Sequence, residues 1–402
     1  MRLCALSSGT LSCDRTLAMD LPSGNDKPLF TPGPLTTSKT VKEAMLTDLG
    51  SRDSAFIGAV REIREGLLAL AGVSQERGWE AVLMQGSGTF CVESVLSSSL
   101  PRDGALLVAR NGAYGARIAT IARYHGVSVV EVVCGEGSPV DPAEVEAAVR
   151  EHPELTHLAV VHCETTSGVL NPVEEVGAIA RAHGLTYFVD SMSAFGAVPI
   201  DLEACHVDFL VSSANKCIEG VPGFGFALCR RADLGACEGR ARSLSLDLYA
   251  QWAGLEKDGQ FRFTPPTHAL LAFHRALKEL EDEGGVSGRQ ARYQANHARV
   301  LEGIKALGLS AYVPEEDQCW IITSVRYPEC EAFSFEELYG RLNERGFVIY
   351  PGKVTDADCF RIGNIGRLFE SDMDGLLAAL GEVLGEMGVR EVPLPRAGDD
   401  LP

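Results

Sequence analysis

Between residues 80 and 230 the chain alternates short apolar runs with longer stretches in which apolar positions recur every three or four residues. The short runs predict β-strands, and the longer stretches predict helices. Strands that alternate with helices of this length form a mostly parallel sheet covered on both faces, which is an α/β architecture. The predicted strands are AVLM (81–84), ALLVAR (105–110), VSVVEVV (127–133), HLAVVH (157–162), LTYFVD (185–190), VDFLVSS (207–213) and GFGFALC (223–229).

The predicted helices between these strands cover residues 89–100, 114–126, 141–152 and 173–184. Asp141 followed by Pro142 predicts the start of the third helix, and Gly184 predicts the end of the fourth. Ligands of parallel α/β sheets bind beyond the carboxyl ends of the strands. Candidate chemistry is therefore expected just after each strand.

The second half of the chain has a different order of elements. Helical spacing runs from about residue 266 to 308, and the following segments predict the order strand, helix, strand, with a last helix that ends at about residue 387. This order predicts a smaller α+β domain. The segments after residue 308 are ITSVRYP (322–328), FSFEELYGRLNERG (333–346), FVIYPG (347–352) and FRIGNIG (360–366).

Composition narrows the possible functions. The 402 residues include 36 Lys+Arg and 55 Asp+Glu, a net charge of −19, which argues against a surface built for nucleic acid or anionic lipid. No run approaches the roughly 18 apolar residues that a membrane span needs. A hydrophobic fraction of 46% excludes intrinsic disorder. We expect a soluble, acidic globular protein.

The 12 cysteines are scattered, and no pair has the C-x-x-C spacing of a zinc or redox site. We read them as free thiols in a reducing compartment, the cytoplasm. Cys163 and Cys217 are interpreted as packing residues. His162 next to Cys163 lacks further ligands at suitable spacing, so no metal site is expected. Residues 1–27 make a poor signal or transit peptide.

An acidic and a basic residue follow two neighbouring predicted strands. Asp190 ends one strand, and Lys216 comes shortly after the next, in the run VDFLVSSANK. Taken alone, Asp190 could cap a turn and Lys216 could be a solvated surface charge. Together they can serve pyridoxal phosphate, because a lysine forms a Schiff base with its aldehyde and an aspartate pairs with its protonated pyridine nitrogen.

A phosphate-bearing cofactor also needs a site for its phosphate. The segment QGSGTF (85–90) lies between a predicted strand and a predicted helix. Backbone N–H groups of Gly88 and Thr89, with the hydroxyls of Ser87 and Thr89, would face a phosphate there. A plain tight turn is the alternative for this segment. The combination of Lys216, Asp190 and this turn is far more specific than any one of them.

Nine segments between residues 29 and 366 carry a resemblance to a known enzyme family. In order along the chain they are LFTPGPLTTS (29–38), MQGSGTF (84–90), RNGAYGAR (110–117), HCETTSGVLNP (162–172), VDSMSAFGAVPID (189–201), SSANKCIEGVPGFGF (212–226), FRFTPPTH (261–268), VIYPGK (348–353) and FRIGNIG (360–366). The sequence resembles the class V branch of the fold-type-I pyridoxal-phosphate enzymes. The segments 215–226 and 261–268 point to its aminoethylphosphonate branch.

The resemblance implies a fold-type-I aminotransferase with two domains. A large cofactor-binding domain, built on a mostly parallel sheet covered by helices, would span residues 28–285, with its N-terminal segment touching the small domain. A smaller C-terminal α+β domain would span residues 286–392. Residues 1–27 would form a flexible arm without a family counterpart, and residues 393–402 an acidic tail.

The resemblance also implies roles for particular residues around the cofactor. Lys216 would bind it covalently and act as the base, and Asp190 would pair with its pyridine nitrogen. Ser87, Gly88 and Thr89 would hold its phosphate. Residues with further implied contacts are Thr165 at the phenolic oxygen, Tyr114 and Met192 on the two ring faces, Thr264 at the neighbouring subunit's phosphate, and Arg361 at the acid group of the substrate.

Two of these assignments have simpler alternatives. Tyr114 could be an ordinary aromatic residue at a helix start, and Met192 could belong to the core. Phe261 stands where some class V relatives have a tyrosine that touches the phosphate, so that contact would be missing. Because Thr264 would complete a neighbour's site, a homodimer is expected.

The implied reaction is transfer of the amino group of 2-aminoethylphosphonate to pyruvate. A glyoxylate-using alanine or serine transaminase of the same family is the nearest alternative. A cysteine desulfurase would need a cysteine on a C-terminal loop, for which Cys330 and Cys359 are the candidates. A non-catalytic binding protein on this fold would have no use for Lys216.

Overall fold

The computed structural model describes residues 27–389 and confirms every predicted strand of the first half. All seven belong to one sheet. Their side chains are largely buried, as expected for strands covered on both faces. The strands are β1 (Trp79–Gly86), β2 (Ala105–Arg110), β3 (Ser128–Val133), β4 (Leu155–Val161), β7 (Thr186–Asp190), β8 (Phe209–Ser213) and β9 (Gly223–Arg230); a small hairpin, β5 (Cys163–Glu164) with β6 (Val169–Leu170), lies between them in the chain.

The strand order in the large sheet is β1-β9-β8-β7-β4-β2-β3. The five strands from β8 to β3 pair in parallel, whereas β9 runs antiparallel to both β8 and β1. The carboxyl ends of β4, β7 and β8 therefore meet at one edge. This is the edge where the sequence placed Asp190 and Lys216.

The described helices alternate with the strands as predicted, and they continue through the second half of the chain. Asp141 caps its helix by accepting a hydrogen bond from the Ala143 N–H at 2.8 Å, and Gly184 follows its helix with a φ of +67°. The helices are α1 (Lys39–Glu43), α2 (Ser54–Leu70), α3 (Gly88–Ser99), α4 (Ala113–Tyr124), α5 (Pro142–Glu151), α6 (Val173–Ala182), α7 (Arg231–Gly235), α8 (Leu248–Asp258), α9 (Thr267–Asp282), α10 (Gly285–Ala306), α11 (Phe335–Glu344) and α12 (Glu370–Glu386), with short 3₁₀ turns at Ala44–Leu46 and Glu315–Asp317.

A second, antiparallel sheet forms after residue 320, with the order β10 (Ile322–Arg326), β12 (Cys359–Gly363) and β11 (Tyr350–Pro351). The hydrophobic core beside this second sheet consists of Phe30 and of side chains between residues 300 and 389. The core around the large sheet consists of side chains between residues 41 and 280. Leu29 forms a parallel bridge with Val348. The predicted domain boundaries at 28–285 and 286–392 stay a prediction, and the predicted tail at 393–402 and nearly all of the predicted arm at 1–27 lie outside the described residues.

Within residues 27–389, no helix is long and apolar enough to cross a membrane.

Candidate active site

A cavity of about 210 Å³ opens where β4, β7 and β8 end and where α3 and α4 begin. Eight of the ten site residues predicted from the sequence line it. They are Ser87, Gly88, Thr89, Tyr114, Thr165, Asp190, Met192 and Lys216. These residues are up to 129 positions apart in the chain (216 − 87), so the topology of the sheet brings them together.

Asp190 is the last residue of β7, and its side chain is only 5% exposed. Its Oδ1 accepts a hydrogen bond from the Met192 N–H at 2.9 Å, so the turn-capping alternative also holds. Burial raises the pKa of Asp190 to about 6, against the pull of the Met192 N–H, Arg117 and Lys216 in the opposite direction. A cationic ring nitrogen beside this carboxylate would offset the cost of its burial.

Lys216 follows β8 and extends into the cavity. Burial lowers the pKa of its amine, with Arg361 acting in the same direction, which favours the neutral, nucleophilic form. Its Nζ donates a hydrogen bond to the Pro32 carbonyl. Gly33 has a φ of +125°, and a Cβ there would lie 2.6 Å from the Lys216 Nζ. A glycine in TPGP therefore lets the N-terminal segment lie directly against the lysine.

The start of α3 is suited to hold an anion. Ser87 occupies the N-cap position, and its side chain makes no capping hydrogen bond, so the hydroxyl stays available for a ligand. Backbone N–H groups in the first helical turn have no partner within the helix and carry the positive end of its dipole. A Cβ on Gly88 would lie 2.1 Å from the Met192 Sδ, so glycine here is what admits Met192 to the cavity.

Tyr114 lies in the first turn of α4, with its phenol facing the Thr165 side chain. Burial opposes its ionisation, but Lys216, Lys353 and Arg361 together hold the pKa of Tyr114 below its ordinary value. The Lys353 Nζ is 4.0 Å from the centroid of the ring. The concentration of positive charge around this phenol indicates a site for an anion.

Arg361 is buried in the middle of β12 and approaches Thr165, a residue of the cavity wall, from the second sheet. Its Nη1 donates to the Thr165 carbonyl at 2.6 Å, and its Nε donates to the Pro351 carbonyl at 2.9 Å. It is not one of the residues that line the cavity, but it contacts Thr165, which does. Two of its five N–H groups are used by these carbonyls, and the guanidinium also contacts the Tyr114 hydroxyl.

Thr264 does not join this cavity. Its side chain is exposed, and its carbonyl accepts a hydrogen bond from Gln85 Nε2 at 3.2 Å. Within one chain it therefore lies on the surface near the end of β1. Phe261, the departure from the family pattern, packs against the large core.

Two residues at the site were missed by the sequence analysis. Arg117 lines the cavity, and its Nη1 donates to the Thr89 Oγ1 at 3.3 Å. It follows Tyr114 by three positions on α4, and that spacing, which places both on one helix face, could have revealed it. Glu164 is buried and accepts hydrogen bonds from the Tyr114 N–H at 3.2 Å and the Gly115 N–H at 3.3 Å, so it caps the start of α4.

The histidine and cysteine residues near the site are packing residues. The His162 Nδ1 lies 3.0 Å from the Ser191 Oγ, and burial lowers the pKa of the imidazole to about 4. Cys163 and Cys217 are buried, and burial raises both thiol pKa values. Across residues 27–389, no three His, Cys, Asp or Glu side chains are grouped in a way that could hold a metal ion.

The chain matches the family model "Aminotransferase class-V" over residues 42–355. It is 51% identical, over 354 residues, to the 2-aminoethylphosphonate–pyruvate transaminase of Salmonella schwarzengrund, covering 88% of this chain and 96% of that protein. The protein of the same name from Salmonella typhimurium strain LT2 is similar to the same extent.

Solved structures with the same fold include an alanine–glyoxylate aminotransferase from Nostoc sp., with a TM-score of 0.84 at 24% identity, covering 93% of this chain and 100% of that chain. A pyridoxamine–pyruvate aminotransferase from Mesorhizobium loti has a TM-score of 0.82 at 25% identity, covering 91% and 94%. The predicted fold-type-I architecture is thus confirmed. Sequence, fold and family model agree, and the chain belongs to the class V aminotransferases.

Proposed function

We propose that this protein transfers the amino group of 2-aminoethylphosphonate to pyruvate, giving phosphonoacetaldehyde and L-alanine. The observation that carries the proposal is the cavity in which Lys216, Asp190 and the start of α3 meet, in a chain 51% identical to transaminases of that name. Class V aminotransferases use pyridoxal phosphate. The residues present fit that group, since the cavity offers an amine, a buried carboxylate and an uncapped helix start.

When bound, pyridoxal phosphate supplies an aldehyde that accepts the amino group and a ring that withdraws electrons from the adjacent carbon. Lys216, whose pKa is lowered by burial, would bind the cofactor covalently and then move the proton between the two reacting carbons. Asp190 would keep the ring nitrogen protonated. Ser87, Gly88 and Thr89 would hold the phosphate at the start of α3.

Four more residues would orient the reactants. Tyr114 and Met192 would pack on the two faces of the cofactor ring, and Thr165 would donate to its phenolic oxygen. Arg361 would bind the acid group of each substrate in turn, a phosphonate first and a carboxylate second. Its anchoring to the Thr165 and Pro351 carbonyls would hold the guanidinium in place.

A panel of amino donors tests the substrate assignment. We expect the reaction of 2-aminoethylphosphonate with pyruvate to form alanine faster than the reaction of alanine or serine with glyoxylate forms glycine. Alanine formation is followed with alanine dehydrogenase, and glycine formation by chromatography. Faster turnover of alanine or serine with glyoxylate would assign the chain to the alternative activity, and release of sulfide from cysteine would assign it to a desulfurase.

We further propose a homodimer in which Thr264 completes the neighbour's phosphate site. Apolar side chains near the start of α3 and near Thr264 are exposed in the single chain. Phe90 is 51% exposed, Phe263 is 45% exposed and Leu244 is 76% exposed. Such surface is typical of an interface. Free buried thiols also support a reducing location, which we propose to be the cytoplasm.

Mixing two inactive variants tests the shared site. A Lys216→Ala chain lacks the cofactor lysine, and a Thr264→Asp chain places a carboxylate where the neighbour's phosphate would bind. In a mixed dimer, one of the two sites would combine an intact lysine with an intact threonine, so unfolding and refolding the mixture should restore activity. No restoration, or full activity in a monomer of about 43 kDa by sedimentation, would contradict the proposal.

A further inference from the structure

Lys353 adds a second cation to the site at which Arg361 is proposed to bind the acid group. It comes two residues after β11, and Tyr350 of that strand pairs with Arg361 of β12. The Arg361 Nε donates to the Pro351 carbonyl, so the same guanidinium holds the turn that carries Lys353. A Cβ on Gly352 would lie 2.0 Å from the Cys359 carbonyl oxygen, so only glycine lets this turn pack against β12.

The ammonium of Lys353 is available for a ligand. Its Nζ lies 4.0 Å from the Tyr114 ring centroid, and among the described residues no Asp or Glu lies within salt-bridge distance of it. A cation held over an aromatic face keeps its charge and its hydrogen-bond donors. Lys353 is partly buried, so its charge is less screened than that of a surface lysine.

The nearby carboxylates are already engaged. Glu164 accepts hydrogen bonds from the start of α4 and from the Thr166 N–H at 3.0 Å, and Asp190 accepts one from the Met192 N–H and is proposed to pair with the cofactor's ring nitrogen. Among the described residues, neither forms a salt bridge with Lys353 or Arg361, although Glu164 stabilises the charge of Arg361 from a longer distance. The site therefore presents two positive charges to the acid group of a substrate.

Charge separates the two substrates of the proposed reaction. Near neutral pH a phosphonate carries up to two negative charges, whereas the carboxylate of pyruvate carries one. Arg361 alone matches the carboxylate. We infer that Lys353 is the specificity-determining residue that makes this site prefer a doubly charged phosphonate over a singly charged acid group. The inference rests on the proposed function and names the residue that selects its amino donor.

Binding of unreactive acids to the holoenzyme tests the inference without turnover. The titrations are run at a pH above the second pKa of ethylphosphonate, so that ethylphosphonate serves as the dianion, its monomethyl ester as a monoanion of similar shape, and propionate as the carboxylate. Isothermal titration calorimetry gives Kd for each with the wild type, Lys353→Gln, Lys353→Arg and the matched control Lys305→Gln. Lys305 is exposed on α10, so that control removes one positive charge elsewhere on the surface.

We expect Lys353→Gln to weaken ethylphosphonate binding about tenfold and the two monoanions less than about threefold, the size of one close charge pair in a partly solvated site. Lys353→Arg should keep the preference, and Lys305→Gln should leave all three Kd values unchanged. KM for 2-aminoethylphosphonate should rise more than KM for pyruvate in Lys353→Gln.

Equal weakening of dianion and monoanions, or no weakening, would overturn the inference. The two proposals fail separately. A wild type that binds ethylphosphonate through Lys353 but does not transaminate 2-aminoethylphosphonate would refute the function alone. A wild type that transaminates it, with an unchanged preference in Lys353→Gln, would refute the role of Lys353 alone.

Discussion

Replacing Glu219 with glutamine is expected to lower the free energy of unfolding by about 3 kcal/mol, because it leaves the buried Arg289 and the largely buried Arg292 with one carboxylate. Glu219 is 2% exposed and lies three residues after Lys216. Its Oε1 accepts hydrogen bonds from the Tyr293 hydroxyl at 2.6 Å and from Arg292 Nη2 at 2.7 Å, and lies 3.4 Å from Arg289 Nη1.

The surrounding network is balanced in charge and joins three segments. Glu283 pairs with Arg289 at 2.8 Å and with Arg292 at 2.7 Å, so two carboxylates face two guanidinium groups. Arg289 also donates to the Cys217 carbonyl, next to Lys216. Arg292 donates to the Gly366 carbonyl at 2.6 Å, in the turn that follows β12.

The size of the effect follows from these contacts. Hydrogen bonds to a charged group contribute roughly 1.5–3 kcal/mol each, and breaking a buried ion pair by removing one partner costs roughly 3–5 kcal/mol. Glutamine keeps one acceptor oxygen but loses the charge, which places the expected loss at about 3 kcal/mol, the lower end of that range. The cofactor should also dissociate faster, since the Glu219 N–H bonds the Lys216 carbonyl at 2.7 Å.

Urea unfolding of the holoenzyme measures the first effect, and loss of cofactor absorbance on dilution measures the second. Glu302→Gln is the matched control, because Glu302 is 73% exposed and pairs with Arg299 on the surface at 2.8 Å. It should lose no more than about 1 kcal/mol. A loss below about 1 kcal/mol in Glu219→Gln would refute the reasoning, as would a double variant with Arg289→Gln whose losses simply add.

Five further outcomes are expected at the cofactor site. Lys216→Ala should abolish turnover while the protein stays folded, checked by circular dichroism; retained transamination would remove this lysine from the mechanism. Asp190→Asn should slow turnover by at least about a hundredfold, since an amide does not hold the ring nitrogen protonated. Because burial raises the pKa of Asp190 to about 6, the carboxyl takes up a proton below that pH, so cofactor affinity should fall between pH 7 and 5 more steeply in the wild type than in Asp190→Asn, measured by titrating apoprotein. Gly88→Ala should push Met192 out of its position and weaken cofactor binding about tenfold in the same titration, and an unchanged Kd would show that Met192 moves freely. Arg361→Lys should retain the cofactor and raise KM for both substrates, since a point charge cannot replace the planar fork; unchanged KM values would mean that the acid group is held elsewhere.

Most of the fold was predictable because each strand of the large sheet is a short apolar run flanked by turn residues. The direction of β9 was harder to predict. Nothing in GFGFALC indicates that this strand runs antiparallel to its neighbours, because a buried strand has the same apolar pattern in either direction. The predicted strand FVIYPG is shorter in the structure, only Tyr350–Pro351, because Val348 instead bridges to Leu29.

The site was predictable where residue type and position after a strand coincide, as for Asp190 and Lys216. Glu164 was missed because its partners include backbone groups of α4, which no local pattern reveals, whereas Arg117 follows Tyr114 on the same helix face and could have been found from that spacing. The network around Glu219 was missed for a related reason, since Glu219 lies 74 positions from Tyr293 in the sequence. Such contacts depend on how α10 packs against the loop after β8.

Because most of its thiols are buried, the protein's unfolding can be followed by the labelling of its own cysteines. Of the ten described cysteines, eight are buried and only Cys134 and Cys330 are partly exposed. Burial raises the pKa of Cys237 to about 12 and that of Cys205 to about 11, so few reactive thiolates exist at neutral pH. A short exposure to a maleimide should therefore label few cysteines of the native chain within residues 27–389. Unfolding exposes the buried thiols, so the fraction of molecules that carry additional labels would measure the fraction that has unfolded.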